Sequence, residues 1–250
     1  MSTVFLVFAN LWLATRLVIL FRDHAVEGRM WLLKSVIELG ALGVLYPFSA
    51  TWVVAAVAVV GLNGIGFGLE RRGGRRDFAR LVLGLVGLTV WSVVFSPRLG
   101  LGFRPHLSAW LAALESWTTL ASGLALGGSV GFQLVLFGLL ISANEANLVI
   151  RAVFDSLDLK PRSMPAGGGV VDVGEFNRGR VIGILERILL YAFVLQGQYG
   201  AIGFVLAAKA FTRFKALDDR AFAEYVLIGT LLSACLALLT GGVVRWLLAA

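Results

Sequence analysis

The sequence predicts an all-α fold, a polytopic transmembrane helical bundle of about eight spans, and three observations carry that prediction. Of the 250 residues 58% are hydrophobic and only 15% charged, and the mean hydropathy is +0.86, which no soluble domain of this size shows. Apolar runs of roughly 17 to 25 residues recur, each long enough at ~1.5 Å per residue to cross a ~30 Å hydrocarbon layer. The basic residues behind a net charge of +7 gather between those runs and at their ends, as Lys and Arg do in cytoplasmic loops.

Taken in order, the expected spans are Thr3 to Phe21, Met30 to Tyr46, Ala50 to Leu69 and Phe78 to Phe95. A fifth lies within Trp117 to Ser142, followed by Val181 to Gln198, Tyr199 to Phe214 and Tyr225 to Leu248. The seventh is short, about 15 residues or ~22 Å of helix, and the count falls to seven if 199–214 is re-entrant. Leu107 to Glu115 is too short to span and reads as interfacial. The first run lacks a basic leader and a small-residue cleavage site, so it is expected to be a retained helix rather than a signal peptide.

Orientation follows from Glu70 to Arg80, ERRGGRRDFAR, whose five arginines surround a Gly73-Gly74 turn. Such a hairpin is expected on the cytoplasmic side of a cytoplasmic (inner) membrane. Alternation then puts Arg22 to Lys34, Arg151 to Arg178 and Lys209 to Arg220 on that side too. Tyr46, Trp52, Trp91, Trp110, Trp117, Tyr199 and Trp246 fall near the opposite ends, where an aromatic belt is expected. Pro161, Pro165 and Gly167-Gly168-Gly169 mark a linker. The expected division is an N-terminal five-helix part (1–143), a cytoplasmic helix and loop (144–178), and a C-terminal three-helix part (179–250). Gly123, Gly127 and Gly131, Gly64 with Gly68, and Gly179 with Gly183 stand four apart, as helix-packing positions do.

Charges inside apolar runs are costly and point to function. Arg180 is expected at the inner boundary of the sixth span, with Glu186 and Arg187 several ångströms within it. Gly179, Gly183, Glu186 and Arg187 share an arc about 100° wide. Lys209 and Arg213 lie about 40° apart on the next helix. The fifth span ends in Asn144-Glu145-Ala146-Asn147 and the last begins at Glu224. Glu186 needs a partner, Arg187 or Lys209. Lys34 and Glu38 read as a local pair, Arg16 as a snorkelling side chain, and Asn10, Asn63 and Gln133 as interhelical hydrogen-bond donors and acceptors.

From about Asn144 to Thr240 the order NEANLVIR, GRVIGILER, GQYGAIGFVLAAKAFTRF and EYVLIGTLLS resembles the C-terminal region of a family of uncharacterised bacterial integral membrane proteins. The resemblance covers roughly 100 of the 250 residues and rests on the Gly-Arg-x-x-Gly-x-Leu-Glu-Arg and Ala-Ile-Gly-Phe…Ala-Ala-Lys…Arg-Phe blocks. It implies a membrane location and picks out Asn147, Arg180, Gly183, Glu186, Arg187, Gln198, Gly203, Lys209, Arg213 and Glu224. The first 140 residues depart from that family's acidic, His-containing first helix.

Known chemistries are mostly excluded. Cys235 is the single cysteine, and His24 and His106 fall on opposite expected sides, so neither a metal cluster nor a Ser-His relay is expected. No G-x-x-x-x-G-K-[ST] loop is present, and no cofactor is expected. Asp155 and Asp158 in DSLD are a weak diphosphate signal. The expected ligand-binding residues are Asn144, Glu145, Asn147, Arg180, Glu186, Arg187, Lys209, Arg213 and Glu224, at a cytoplasmic mouth that favours an anionic solute or lipid headgroup. That means a transporter, or an enzyme acting on a membrane-bound phosphorylated substrate. The alternative is a scaffold or subunit whose charges and Gly faces hold partner helices. Expected partners are the lipid bilayer, an anionic lipid or solute, and a membrane-protein partner or second copy; no nucleic acid is expected.

Overall fold

In hydrocarbon no water is available to backbone N–H and C=O groups, so an apolar run must satisfy them within itself, and the helix is how it does so. The computed structural model describes residues 3–20, 25–106, 129–157, 173–212 and 220–250, and among them every regular element is helical. The eight α-helices are α1 (Thr3–Arg16), α2 (Gly28–Leu45), α3 (Ala50–Arg72), α4 (Arg76–Val94), α5 (Val130–Ser156), α6 (Val173–Gln196), α7 (Tyr199–Thr212) and α8 (Arg220–Ala249). Among the described residues four helices, α3, α4, α5 and α8 over 223–249, are long and apolar enough to cross a membrane by length and composition. The protein is a membrane protein. Helix α7, at 14 residues, reaches only ~21 Å.

Local signals explain the ends. Ser49 precedes α3 in extended conformation, and its Oγ accepts from the Trp52 N–H at 3.1 Å, which satisfies one of the four orphan donors of the first turn. Gly73, at φ 72°, stops α3 in a conformation that costs side-chain-bearing residues strain. Gly197, at the same φ, turns α6 into α7. There Gln198 N–H donates to the Phe193 carbonyl at 2.8 Å, the bond that closes a Schellman-type end. Helix α6 begins at Val173, several residues before the expected start, so 173–178 are helical rather than loop.

The chain divides into two compact units, Met1–Leu140 and Ile141–Ala250, so the boundary falls inside α5. In the first unit α1 packs on α2, α4 and the first half of α5, and α3 packs between α2 and α4. Leu6, Phe8, Ala9, Trp12 and Leu13 of α1 are all buried. Phe8, Tyr46, Trp91 and Phe95 form one aromatic cluster with ring centroids 4.8–6.3 Å apart. Tyr46 and Trp91 lie at the ends of α2 and α4, where the belt was expected, and both are fully buried, because the interior of this unit takes large rings against one another. Trp246 and Tyr199 are exposed; Trp110 and Trp117 lie outside the described residues.

Arg16 is also corrected. It is 1% exposed, its guanidinium lies 4.9 Å above the Trp12 ring, and its Nη2 donates to the Arg80 carbonyl at 2.9 Å. A guanidinium that stacks on an indole and meets a carbonyl has no need to reach the surface. In the second unit α8 packs on α6 and on the second half of α5, and α7 packs on α6. Leu190, Val194, Ile202, Ala234 and Ala237 form its core.

Close packing falls on other glycines than those in the four-residue repeats. A Cβ on Gly66 would lie 2.4 Å from Trp31, one on Gly87 2.3 Å from Trp12, and one on Gly241 2.8 Å from Val194. Nothing lies within 4 Å at Gly64, Gly68 or Gly179, and Gly183 meets only Arg187 of its own helix at 3.9 Å. Gly131 is half-buried, while Gly123 and Gly127 lie outside the described residues. Gly87→Ala should therefore cost about 1–3 kcal/mol through overpacking against Trp12. Gly64→Ala should stabilise α3 by about 0.5–1 kcal/mol. Thermal unfolding in detergent separates the two, and a Gly87→Ala protein as stable as its parent would remove Trp12 from this packing role.

Candidate functional site

In the second unit the site begins with a run of polar residues inside an apolar helix. Ser, Asn and Glu follow LFGLLI at 142–147, and Ser and Asn side chains compete for backbone hydrogen bonds. Over Ile141–Glu145 the helix widens into a π turn, a geometry often found at functional positions. Ser142, Asn144, Glu145 and Asn147 are all buried there. Asn144 Nδ2 donates to Glu145 Oε1 at 2.9 Å.

Arg187 of α6 reaches this turn. Its Nε donates to the Ser142 carbonyl at 3.1 Å, its Nη2 to Asn147 Oδ1 at 3.3 Å and its Nη1 to Ser233 Oγ of α8 at 3.4 Å. It is 3% exposed. All three acceptors are neutral, so the hydrogen bonds are satisfied without a countercharge. Ser142 Oγ, Asn144 Oδ1 and Asn147 Nδ2 are buried without a hydrogen-bond partner, each a group whose desolvation is uncompensated.

Glu186 takes the other available partner. Its carboxylate accepts from Lys209 Nζ of α7, and both side chains are about four-fifths buried. The two adjacent residues of α6 thus separate: Glu186 ties α6 to α7, and Arg187 ties α6 to α5 and α8. Of the other expected residues, Arg180 is buried on α6 and Glu224 is exposed on α8. Arg213 lies outside the described residues. Among the described residues no three His, Cys, Asp or Glu side chains stand close enough to hold a metal ion.

Sequence reasoning placed the polar machinery in this C-terminal part, and the first unit holds as much. Glu38 is fully buried, ~15 Å along α2 from Gly28 and ~10 Å from Leu45. Its Oε1 accepts from Lys34 Nζ and, at 2.6 Å, from Thr15 Oγ1; its Oε2 accepts from Asn63 Nδ2 at 2.8 Å. Lys34 Nζ also donates to Asn63 Oδ1 at 2.8 Å and lies 5.5 Å from the Trp12 ring. The local Lys34–Glu38 pair is as expected, but it is the centre of a network from α1, α2 and α3. Asn10 Nδ2 donates to Gln133 Oε1 and its carbonyl at 2.6 and 2.9 Å, joining α1 to α5.

A second ion-pair group sits at the arginine hairpin. Glu70 accepts from Arg80 Nε at 2.7 Å and Nη2 at 3.1 Å, and Arg80 Nη1 donates to Asp77 at 3.1 Å. The Val26 N–H donates to Glu70 Oε2 at 3.3 Å. The sequence signal for both groups is a carboxylate in or at the end of an apolar helix: Glu38 lies within α2, and Glu70 follows the apolar body of α3 directly.

No protein-family model, curated protein or solved structure matches the chain. The site is therefore read on its own chemistry. Removing one charge of a buried pair leaves the other without solvation, whereas removing both does not. Lys34→Met should destabilise the first unit by about 3–5 kcal/mol, and Lys34→Met with Glu38→Leu should recover most of that loss. Unfolding in detergent measures both; a double variant no better than the single one would show that Asn63 and Thr15 need the carboxylate more than the pair needs itself.

Proposed function

We propose that this is a multi-pass protein of the bacterial cytoplasmic membrane whose second unit binds or transports an anionic solute or lipid headgroup. One observation carries the reading: Arg187 is a buried cation whose hydrogen-bond acceptors are a carbonyl, an amide and a hydroxyl. Its neighbour Glu186 is already engaged by Lys209, so positive charge is left within a low-dielectric interior. Such a charge attracts an anion far more strongly than one in water. The π turn supplies further hydrogen-bonding atoms beside it, those of Ser142, Asn144 and Asn147. The positive-inside rule applied to the 70–80 hairpin supports the membrane and the orientation, and the resemblance of 144–240 to a bacterial membrane family supports the source.

A scaffold or subunit is the second reading, and the Glu186–Lys209 pair favours it, since it joins two helices as a structural ion pair does. The two readings separate experimentally. For a binding site, Arg187→Gln should weaken retention of phosphatidylglycerol, followed by native mass spectrometry, or of inorganic phosphate, followed by calorimetry, by about tenfold or more, equivalent to ~1.4 kcal/mol. The double variant Glu186→Gln with Lys209→Met should still accumulate in the membrane. If that double variant fails to accumulate while Arg187→Gln binds both probes like the parent, the charges are structural and the scaffold reading replaces this one.

A further inference from the structure

Helix α5 carries one residue more than an α-helical ladder accommodates. An α-helix passes each carbonyl to the N–H four residues on and a π turn passes it to the fifth, so the widened turn at Ile141–Glu145 absorbs an extra residue within a continuous helix. Breaks of this kind arise where a side chain inserts into the ladder. Here that side chain is Arg187 of α6, whose Nε donates to the Ser142 carbonyl at 3.1 Å. Its Nη2 also donates to Asn147 Oδ1, just after the turn, at 3.3 Å.

Three features favour a second arrangement of this turn. Ser142 Oγ, Asn144 Oδ1 and Asn147 Nδ2 are buried without hydrogen-bond partners, so the present arrangement stores a desolvation cost that re-aiming these side chains can relieve. Every residue from Ser142 to Leu148 is buried, nearly two turns covered on all sides, so rotating this stretch brings no new face to the surface. The boundary of the two compact units falls at Leu140–Ile141, where the turn starts, so the residues before and after it pack in different units. Closing the π turn into an α-helix would rotate the following residues by about 100° and advance them by ~1.5 Å, one residue of register. Ala146 would then take the place of Asn147 opposite Arg187. Phe154, which now sits where a Cβ on Gly229 of α8 would lie 2.8 Å from its ring, would leave that position.

We propose that the π turn is a conformational switch with Arg187 as its latch: a phosphate-type anion that draws the guanidinium to itself releases the Ser142 carbonyl, and the second half of α5 rotates against α8. The trigger rests on the anion reading of Arg187; the latch does not. A ligand shifts such an equilibrium only by its differential affinity for the two states. The difference here is a guanidinium committed to the turn in one state and available in the other.

The test places nitroxide labels at Ser156→Cys and Leu227→Cys, both exposed, in the full-length protein with Cys235→Ser, in phosphatidylcholine nanodiscs. Paramagnetic resonance reads their separation. A side chain ~5 Å from the helix axis travels roughly 8 Å in such a rotation, so the separation should change by about 5 Å or more. Arg187→Gln should give that change with no anion present. In the parent, inorganic phosphate should give it if the trigger is a soluble anion, and phosphatidylglycerol added to the discs if it is a lipid headgroup. Deletion of Ala143 removes the extra residue and leaves 146–156 in their present register on an unbroken ladder. That variant should keep the anion-free separation whatever is added. An Arg187→Gln protein with the parent's separation overturns the latch and with it the proposal. A parent that binds either probe, followed by calorimetry or native mass spectrometry, without a change in separation overturns the coupling, and so does a deletion variant that moves as the parent does. If the parent binds neither probe, the anion reading has failed, and the Arg187→Gln separation still decides the latch.

Discussion

An ionised group taken out of water must find its solvation in the protein, and the helix arrangement of this chain depends on that requirement more than on any single apolar contact. Glu38 accepts from Lys34, Thr15 and Asn63, which come from three helices. Removing α1 or α3 would take a hydrogen-bond donor from a buried carboxylate, at a cost of about 1–3 kcal/mol. Association of apolar helices in lipid has little hydrophobic drive of its own. The polar network therefore supplies orientation and register, while the apolar faces left exposed on α3, such as Val53, Val57 and Val60, are compatible with a lipid environment.

Packing follows around those networks. Trp12 shows how the two levels connect: its ring centroid lies 4.9 Å from the Arg16 cation and 5.5 Å from that of Lys34, and the ring also fills the space over Gly87. One indole thus lies within cation–π distance of two buried charges and requires a glycine on the facing helix. Trp31 repeats the arrangement at Gly66, with Lys34 5.9 Å from its ring. The large-against-small pairing brings α1 close to α4 and α2 close to α3, as dense interiors require.

The second unit uses the same chemistry with a different balance. Glu186 and Lys209 neutralise each other, whereas Arg187 is held by neutral acceptors on the π turn and on α8. That asymmetry leaves one cation with a carboxylate partner and the other with neutral acceptors alone. The π turn matters because widening the helix turns a backbone carbonyl, that of Ser142, toward a side chain of another helix. No spacing rule in a sequence announces such a turn, although the cluster of Ser, Asn and Glu within an apolar run marks where it occurs.

Composition and the length of the apolar runs were enough to determine the all-α membrane class and most helix positions, because backbone hydrogen bonding in lipid leaves an apolar run one outcome. The Lys34–Glu38 pair was legible for a similar reason: four residues place two side chains on one helix face. Glycine roles, the buried positions of Arg16, Tyr46 and Trp91, and the choice of Lys209 over Arg187 as the partner of Glu186 were not legible. Each depends on which helix lies opposite, and helical spacing shows what shares a face but not what that face meets. Asn63 belonged to Glu38, and Arg80 to Glu70, only once α2, α3 and α4 were brought together, since ion pairing in a bundle is decided by distance across helices rather than along them.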